Sequence, residues 1–274
     1  MIKKLQSITN KIAPVLAISI ILLVWQILSA TGAVPKFMLP SPIDVVKAFI
    51  GDFSLLMQHA KTTLTEAFFG LSLGVLIGFV VAVLMDRFEI AYKSIYPVLV
   101  ITQTIPTVAI APLLVLWLGY GILPKITLII ITSFFPITIG LLDGFRSADK
   151  DALNLMKAMG ANRLQQFYHI KLPSSLGHFF SGLRISVSYS IIGAVVAEWL
   201  GGFTGLGVYM TRVRKSYSYD KMFAVIFFIS IISLLLMMSV SIIQKAVMPW
   251  EVGDAKKSSS KMKIKQNRKI KSLS

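Results

Sequence analysis

The sequence predicts an all-α integral membrane protein with six transmembrane helices, and three observations predict it. The 274 residues are 55% hydrophobic and only 15% charged, with a mean hydropathy of +0.75, a balance rare in a soluble domain of this length. Six apolar stretches are long enough to cross about 30 Å of hydrocarbon as helices. They run roughly Ile12–Ala30, Thr62–Met85, Ser94–Leu118, Leu123–Leu142, Phe179–Leu200 and Met222–Val247. Lysine and arginine border these stretches asymmetrically, as positive-inside topology requires.

Several function classes are excluded by what the chain lacks. It has no cysteine, so neither disulfides nor thiolate metal sites are available. His59, His169 and His178 are scattered, and no histidine–carboxylate cluster has metal-ligand spacing. There is no Gly-x-x-x-x-Gly-Lys stretch, so no cofactor is expected in this chain and any ATP is bound by a partner subunit. The net charge of +16 does not indicate nucleic acid, because eight of the 28 basic residues lie in the last 20 positions and most others border apolar spans. A membrane enzyme would need convergent acid, base or metal groups, and the spans offer little beyond Glu66 and Glu198, so no catalytic residue is assigned.

The first apolar span follows Lys3, Lys4 and Lys11 but is too long for a signal-peptide core, and five spans follow it, so it reads as an uncleaved anchor. With both termini cytoplasmic, 20 basic residues fall inside and 8 outside. The outer loop Gly201–Lys221 departs from this locally, with Arg212, Arg214, Lys215 and Lys221. Pro35, Pro40 and Pro42 break the first external segment. The second span carries Gly70, Gly74 and Gly78, a small-xxx-small seam for close helix approach, read as intramolecular packing in preference to a dimer contact.

The third span is interrupted by Pro97, Pro106 and Pro112, with Thr102, Gln103 and Thr104 just before the middle proline. Prolines free backbone carbonyls, and such irregularity survives in a membrane only where protein or a cavity satisfies it. Thr102, Gln103 and Pro106 are therefore candidates for a translocation pathway, the other reading being a kinked packing helix. The fifth span ends in Glu198-Trp199-Leu200-Gly201-Gly202, followed by Gly205-Leu206-Gly207. An acid at the edge of an apolar span is costly, so Glu198 is a fourth pathway candidate; a solvated interfacial carboxylate is the rival reading. The tail 251–274 is Lys- and Ser-rich and is expected to be a disordered, topology-setting end.

Between the fourth and fifth spans lies a polar stretch, Arg146 to Pro173, too polar and too broken to cross a membrane. Ser147 is expected to N-cap one helix, with Asp149 and Asp151 in its first turn, where the helix dipole favours acids. Ala148, Ala152, Leu155 and Met159 form its narrow apolar face. Gly160 stops that helix in the left-handed conformation. Asn162 begins another, with Gln165 three residues on, and Leu164, Phe167 and Tyr168 are expected to share one exposed apolar face. Pro173 is expected to end it. The stretch is a rigid elbow outside the bilayer.

Gly160, Ile170, Leu172 and Pro173 sit at the spacing of the cytoplasmic "EAA" loop of ABC-importer permeases, which this stretch resembles. Where that family has Glu-Ala-Ala, this chain has Asn154-Leu155-Met156. Leu39-Pro40-Ser41-Pro42, the third-span text from Ile105-Pro106 to Trp117-Leu118-Gly119, and Glu198-Trp199-Leu200-Gly201 with Gly205-Leu206-Gly207 are similar to the nitrate, sulfonate, taurine and thiamine-precursor subfamily. Over Thr62 to Trp250 the resemblance is nearly continuous.

The resemblance implies the type I importer architecture, with the elbow as a cytoplasmic coupling-helix loop docking on an ATPase subunit through Asn154, Met156, Gly160, Leu164, Phe167, Ile170, Leu172 and Pro173. It implies two ABC ATPase subunits and an extracytoplasmic substrate-binding protein. One elbow per ATPase, and too few helices for a closed pathway, point to a second copy of the permease as a homodimer. The expected organisation is residues 1–61 as N-terminal segment, first span and external loop, 62–250 as a five-helix core holding loop 146–173, and 251–274 as tail. The expected place is the cell membrane, multi-pass. The expected function is passage of a small solute (a sulfonate, nitrate, taurine or a thiamine pyrimidine precursor) driven by ATP; a secondary transporter or channel is the alternative, and would leave the elbow unexplained.

Overall fold

Hydrocarbon offers backbone amides no partner, so a chain this apolar must pair them within helices. In a computed structural model that describes residues 2–32, 34–35 and 38–250, with side chains from residue 13 onward except residue 14, the described residues form helices and turns and no strand. The tail expectation for 251–274, and the basic side chains before the first span, lie outside the described residues. The chain divides into two compact units, residues 1–65 with 195–231 and residues 66–194 with 232–274.

The helices are α1 (Ile2–Ala30), α2 (Pro42–Gly51), α3 (Phe53–Arg87), α4 (Glu89–Thr102), α5 (Thr107–Leu118), α6 (Leu123–Arg146), α7 (Lys150–Ala158), α8 (Arg163–Gln166), α9 (Leu172–Gly201), α10 (Leu206–Lys215) and α11 (Tyr219–Val247). A π turn, Phe167–Lys171, joins α8 to α9. Among the described residues four helical runs are long and apolar enough to span: Phe53–Arg87, Leu123–Arg146, Arg163–Gly201 and Tyr219–Val247. Within α1, whose side chains are described only from residue 13 and not at 14, the apolar stretch among the described residues is Val15–Ala30. The expected third span is not one helix. It is the pair α4 and α5, bent by 101° at the break before Pro106. Proline there has no N–H to continue the ladder and disfavours helical backbone before it, so a kink becomes a fold-back.

In the first unit two short helices lie where hydropathy gave only loops. Ser41 N-caps α2 in a full capping box with Asp44, and Pro42 occupies the first turn, where its missing N–H costs nothing. The Leu39–Pro42 run is thus a helix start. α10 occupies the basic stretch 201–221 and buries Leu206, Val208, Tyr209 and Val213. Tyr209 Oη donates to Asp52 Oδ2 at 2.6 Å, and Lys221 Nζ lies 2.8 Å from the same oxygen, so one off-pattern lysine has a local partner. Burial would raise the Asp52 carboxyl, but the hydrogen bonds from Lys221 and Tyr209 and the Lys221 charge outweigh it and hold the group below the usual aspartate value. Burial, with the Asp52 carboxylate beside it, pushes the Tyr209 phenol up.

In the second unit α3 packs on α6 through the glycine seam, as intramolecular packing requires. A Cβ on Gly70 would meet Ile129, one on Gly74 would meet Ser133, and one on Gly78 would meet Ile137. α6 and α9 approach as closely: a Cβ on Gly144 would stand 2.5 Å from the Ser175 Cα. The core of this unit gathers Ala82, Ile137, Leu141 and Phe145, with Phe79, Val83, Leu172 and Phe179 packed against it.

Candidate functional site

The elbow forms much as its local signals dictate, with two changes at its start and end. The N-cap of α7 is Asp149, whose carboxylate accepts from the Asp151 and Ala152 amides. Ser147 instead closes α6: its amide donates to the Asp143 carbonyl and its hydroxyl to that of Gly144. α6 simply runs four residues further than its apolar text, from Leu142 to Arg146. Gly160 stands at φ 84°, in the left-handed region, with its amide on the Lys157 carbonyl and the Ala161 amide on that of Met156. Asn162 and Gln165 make a reciprocal capping box, both bonds 2.8 Å.

Pro173 does not end the second helix. The chain runs from Arg163 to Gly201 without a break because the π turn absorbs the proline. An i→i+5 turn relieves the clash a proline would make in an α register, and Ser174 Oγ donates to the Ile170 carbonyl beside it.

The turn also separates two faces. Leu164 and Tyr168, four apart, are 71% and 65% exposed. Leu155 and Met159 of α7 are similarly exposed, while Ala148 is buried. Phe167 does not share this face. It is half-buried, with its ring 5.2 Å from that of Phe145 and packed against the α3–α6 core, so the fold itself holds part of it. Lys171, four residues on, faces the same way and donates to both carboxylate oxygens of Asp86 at 2.7 and 2.8 Å. Of the other expected coupling residues, Asn154, Gly160 and Pro173 are exposed, Met156 and Ile170 half-buried, and Leu172 packs in the Phe145 core.

The break between α4 and α5 opens a cavity of about 310 Å³, and Thr102, Gln103 and Pro106 line it together. Thr107, Thr132 and Tyr189 add hydroxyl groups to its wall, and no charged side chain lines it. The Thr102 and Thr132 hydroxyls donate to the carbonyls of Leu99 and Ile129, which leaves their oxygens free to accept. Thr132 and Tyr189 were missed because they stand on α6 and α9, far from the proline text.

Glu198 belongs to a different constellation. It is 1% exposed, so it is not a solvated interfacial carboxylate. Its Oε1 accepts from Thr63 Oγ1 at 2.7 Å and its Oε2 from the Gly207 amide at 2.6 Å. The Leu206 amide donates to Thr63 Oγ1, and the Gly205 amide to His59 Nδ1. The carboxylate thus caps the start of α10, where the helix dipole favours negative charge. Gly205, at φ 127°, must be glycine because any Cβ would overlap the Glu198 carboxyl. A second buried charge was missed: Lys125 pairs with Glu66 at 2.6 Å, both side chains almost wholly enclosed. Hydropathy counts Lys125 among the outer cations; its partner lies 59 residues away on α3.

Comparison with known proteins gives the family. The family model described as "Binding-protein-dependent transport system inner membrane component" matches residues 74–251. The chain is 37% identical over 238 residues to the formylaminopyrimidine transport permease protein ThiX of Halalkalibacterium halodurans, covering 86% of this chain and 95% of that one. It is 39% identical over 227 residues to a probable ABC transporter permease protein of Haemophilus influenzae, covering 83% and 93%. Among solved structures, an amino acid ABC transporter with histidines superposes with a TM-score of 0.58 at 15% identity, covering 73% of this chain and 95% of that chain, a likeness of fold alone. With the resemblance carried through most of its length, this multi-pass membrane chain belongs to the binding-protein-dependent inner membrane components, the permeases of ABC transporters.

Proposed function

We propose that this chain is the permease subunit of an ATP-driven importer of a small solute, and that residues 146–173 are the point at which an ATPase grips it. One observation carries the reading. Leu155, Met159, Leu164 and Tyr168 are exposed on a doubly capped elbow that Phe167 and Lys171 tie to the helices behind it. Apolar side chains outside a bilayer that their own fold does not bury mark a partner surface. Asn154, Met156 and Gly160 shape that surface, while Phe167, Ile170, Leu172 and Pro173 hold it in place. The elbow lies in the cytoplasm together with both termini, α1 completes six spans, and the core is 62–250. Two copies face each other across the pathway, each engaging one ATPase, and a substrate-binding protein delivers the solute from outside. ATP is bound by the ATPases and not by this chain.

Thr102, Gln103 and Pro106 line the pathway in this reading; Glu198 serves it indirectly, by fixing α10. The solute is a small organic compound, a sulfonate or a thiamine pyrimidine precursor. The formylaminopyrimidine permease among the relatives supports the second.

The test is co-purification. Leu164→Asp and Tyr168→Asp change exposed side chains in the polar first turns of the Arg163–Gly201 run and leave the Phe167 packing intact, so both variants should accumulate in the membrane at normal levels. Both should lose their ATPase on purification, a fall in retained ATPase of about tenfold or more for a buried interface charge. Normal retention with both variants would remove the elbow as the docking site.

A further inference from the structure

The two halves of the elbow are held very differently. Neither α7 nor the π turn buries a residue completely, and the difference lies in what each is tied to. The π turn is fixed to the membrane helices twice within five residues. Phe167 packs on Phe145 of α6 and beside Phe79 and Val83 of α3. Lys171 reaches the last turn of α3 and engages both oxygens of Asp86, with side chains only 26% and 13% exposed. Beyond the turn the chain continues into α9 without interruption.

We propose that the Asp86–Lys171 pair is a positioning clamp that makes α3 travel with the elbow. The inference rests on the reading of the elbow as the ATPase docking site. Motion delivered at Leu164 and Tyr168 passes to α9 through continuous helix, because no loop intervenes. It passes to α3 only across side chains. Apolar contact with Phe79 and Val83 permits sliding, since dispersion has little directionality. A lysine held between two carboxylate oxygens fixes a point on one helix against a point on the other. The register matters too: a π turn inserts one residue, rotating the downstream helix by about 100° relative to an unbroken α helix. Lys171 thereby meets Asp86 while Leu164 and Tyr168 remain outward. The pair is mostly buried, so leaving either charge unpaired also costs stability, and only the paired charge swap isolates the mechanical consequence.

The test uses the permease with its own ATPase in lipid nanodiscs, with ATP and vanadate as the probe. The chain has no native cysteine, so spin labels report only chosen sites. Leu73→Cys on α3 with Ser174→Cys at the start of α9, diluted with unlabelled chain, gives one intrachain distance; Lys157→Cys on α7 alone gives the elbow-to-elbow distance. The elbow distance should change with nucleotide and the α3–α9 distance should not. Adding Lys171→Met or Asp86→Asn should make the α3–α9 distance shift with nucleotide by about 2 Å or more, the scale of a helix sliding at an interface. The charge swap, Asp86→Lys with Lys171→Asp, should abolish that shift, which a general loss of packing would not. If Lys171→Met fails to accumulate, Asp86→Asn carries the same test from the α3 side. A nucleotide shift in the otherwise wild-type pair, or none in the single variants, overturns the clamp. An elbow distance that ignores nucleotide, with ATPase still retained by Leu164→Asp, overturns instead the docking reading beneath it.

Discussion

Replacing Glu198 separates a structural carboxylate from one that handles solute. In Glu198→Ala the Gly207 amide loses its acceptor within a buried site, and the Thr63 hydroxyl falls back on the His59 carbonyl 3.3 Å away. One orphaned buried donor costs about 1–3 kcal/mol, and the space left by the side chain adds a cavity term, for about 3–5 kcal/mol in all. Glu198→Gln is far milder. Its amide oxygen can accept from Gly207 while its NH₂ donates to Thr63, which already has an alternative acceptor. The loss is then chiefly the charge at the start of α10, about 1 kcal/mol. Thermal unfolding in detergent, followed by tryptophan fluorescence, reads both. Glu198→Ala should unfold about 10 °C below wild type and Glu198→Gln within about 4 °C of it. If Glu198→Ala unfolds with the wild type, the hydrogen-bonded cap holds nothing together, and the carboxylate returns to the translocation pathway.

Local geometry sets three further outcomes. Gly144→Val drives a side chain into Ser175 at the α6–α9 contact, so it should cost about 3 kcal/mol and sharply lower membrane accumulation, measured by immunoblot against wild type. Gly160→Ala meets no atom within 4 Å and suffers only from its positive φ, about 1–2 kcal/mol; the fold should survive while ATPase retention on a column falls up to about tenfold. Asp52 has its carboxyl held below the ordinary value, so the Asp52–Lys221–Tyr209 contact stabilises fully above the unfolded aspartate value of about 3.9 and is lost as pH falls through the lower folded one. The unfolding temperature of wild type should therefore exceed that of Asp52→Asn at pH 6, and the difference should shrink as the pH falls below about 3.9.

What could be read in the sequence was local. Gly160 with Asn162 and Gln165 specified a knuckle and a cap within six residues, and the chain obeys them. What could not be read was which side of a helix the tertiary structure would claim. Leu164, Phe167 and Tyr168 satisfy one apolar stripe, yet Phe167 turns inward, and the hint was the polar residue four further on: Lys171 has a place only beside an acid. Ser147 looked like an N-cap because the end of α6 was set by hydropathy and not by hydrogen bonds. The proline text announced a defect, but a kink and a 101° fold-back share the same letters. Lys125 and Glu198 were costly residues whose partners lie 59 and 135 positions away, beyond any local signal.

The second unit concentrates stiffness and compliance in different helices. α3, α6 and α9 meet where glycines admit no intervening side chain, at Gly74 against Ser133, Gly144 against Ser175 and Gly182 against Pro136. Backbones that close resist relative displacement, because any shift drives heavy atoms into contact or opens a void. α4 and α5 are built otherwise. Pro97 and Pro112 each remove a ladder hydrogen bond, and neither N-terminus has a side-chain cap. The turn between them bends by 101°, and their Thr102, Gln103 and Thr107 face the cavity. A displacement entering at the π turn is therefore passed to α9 by continuous helix and to α6 by these close contacts, and at the elbow end α3 is drawn along through the Asp86–Lys171 pair. The α4–α5 break yields first, so the wall of the cavity is the part of this unit with least resistance to changing shape.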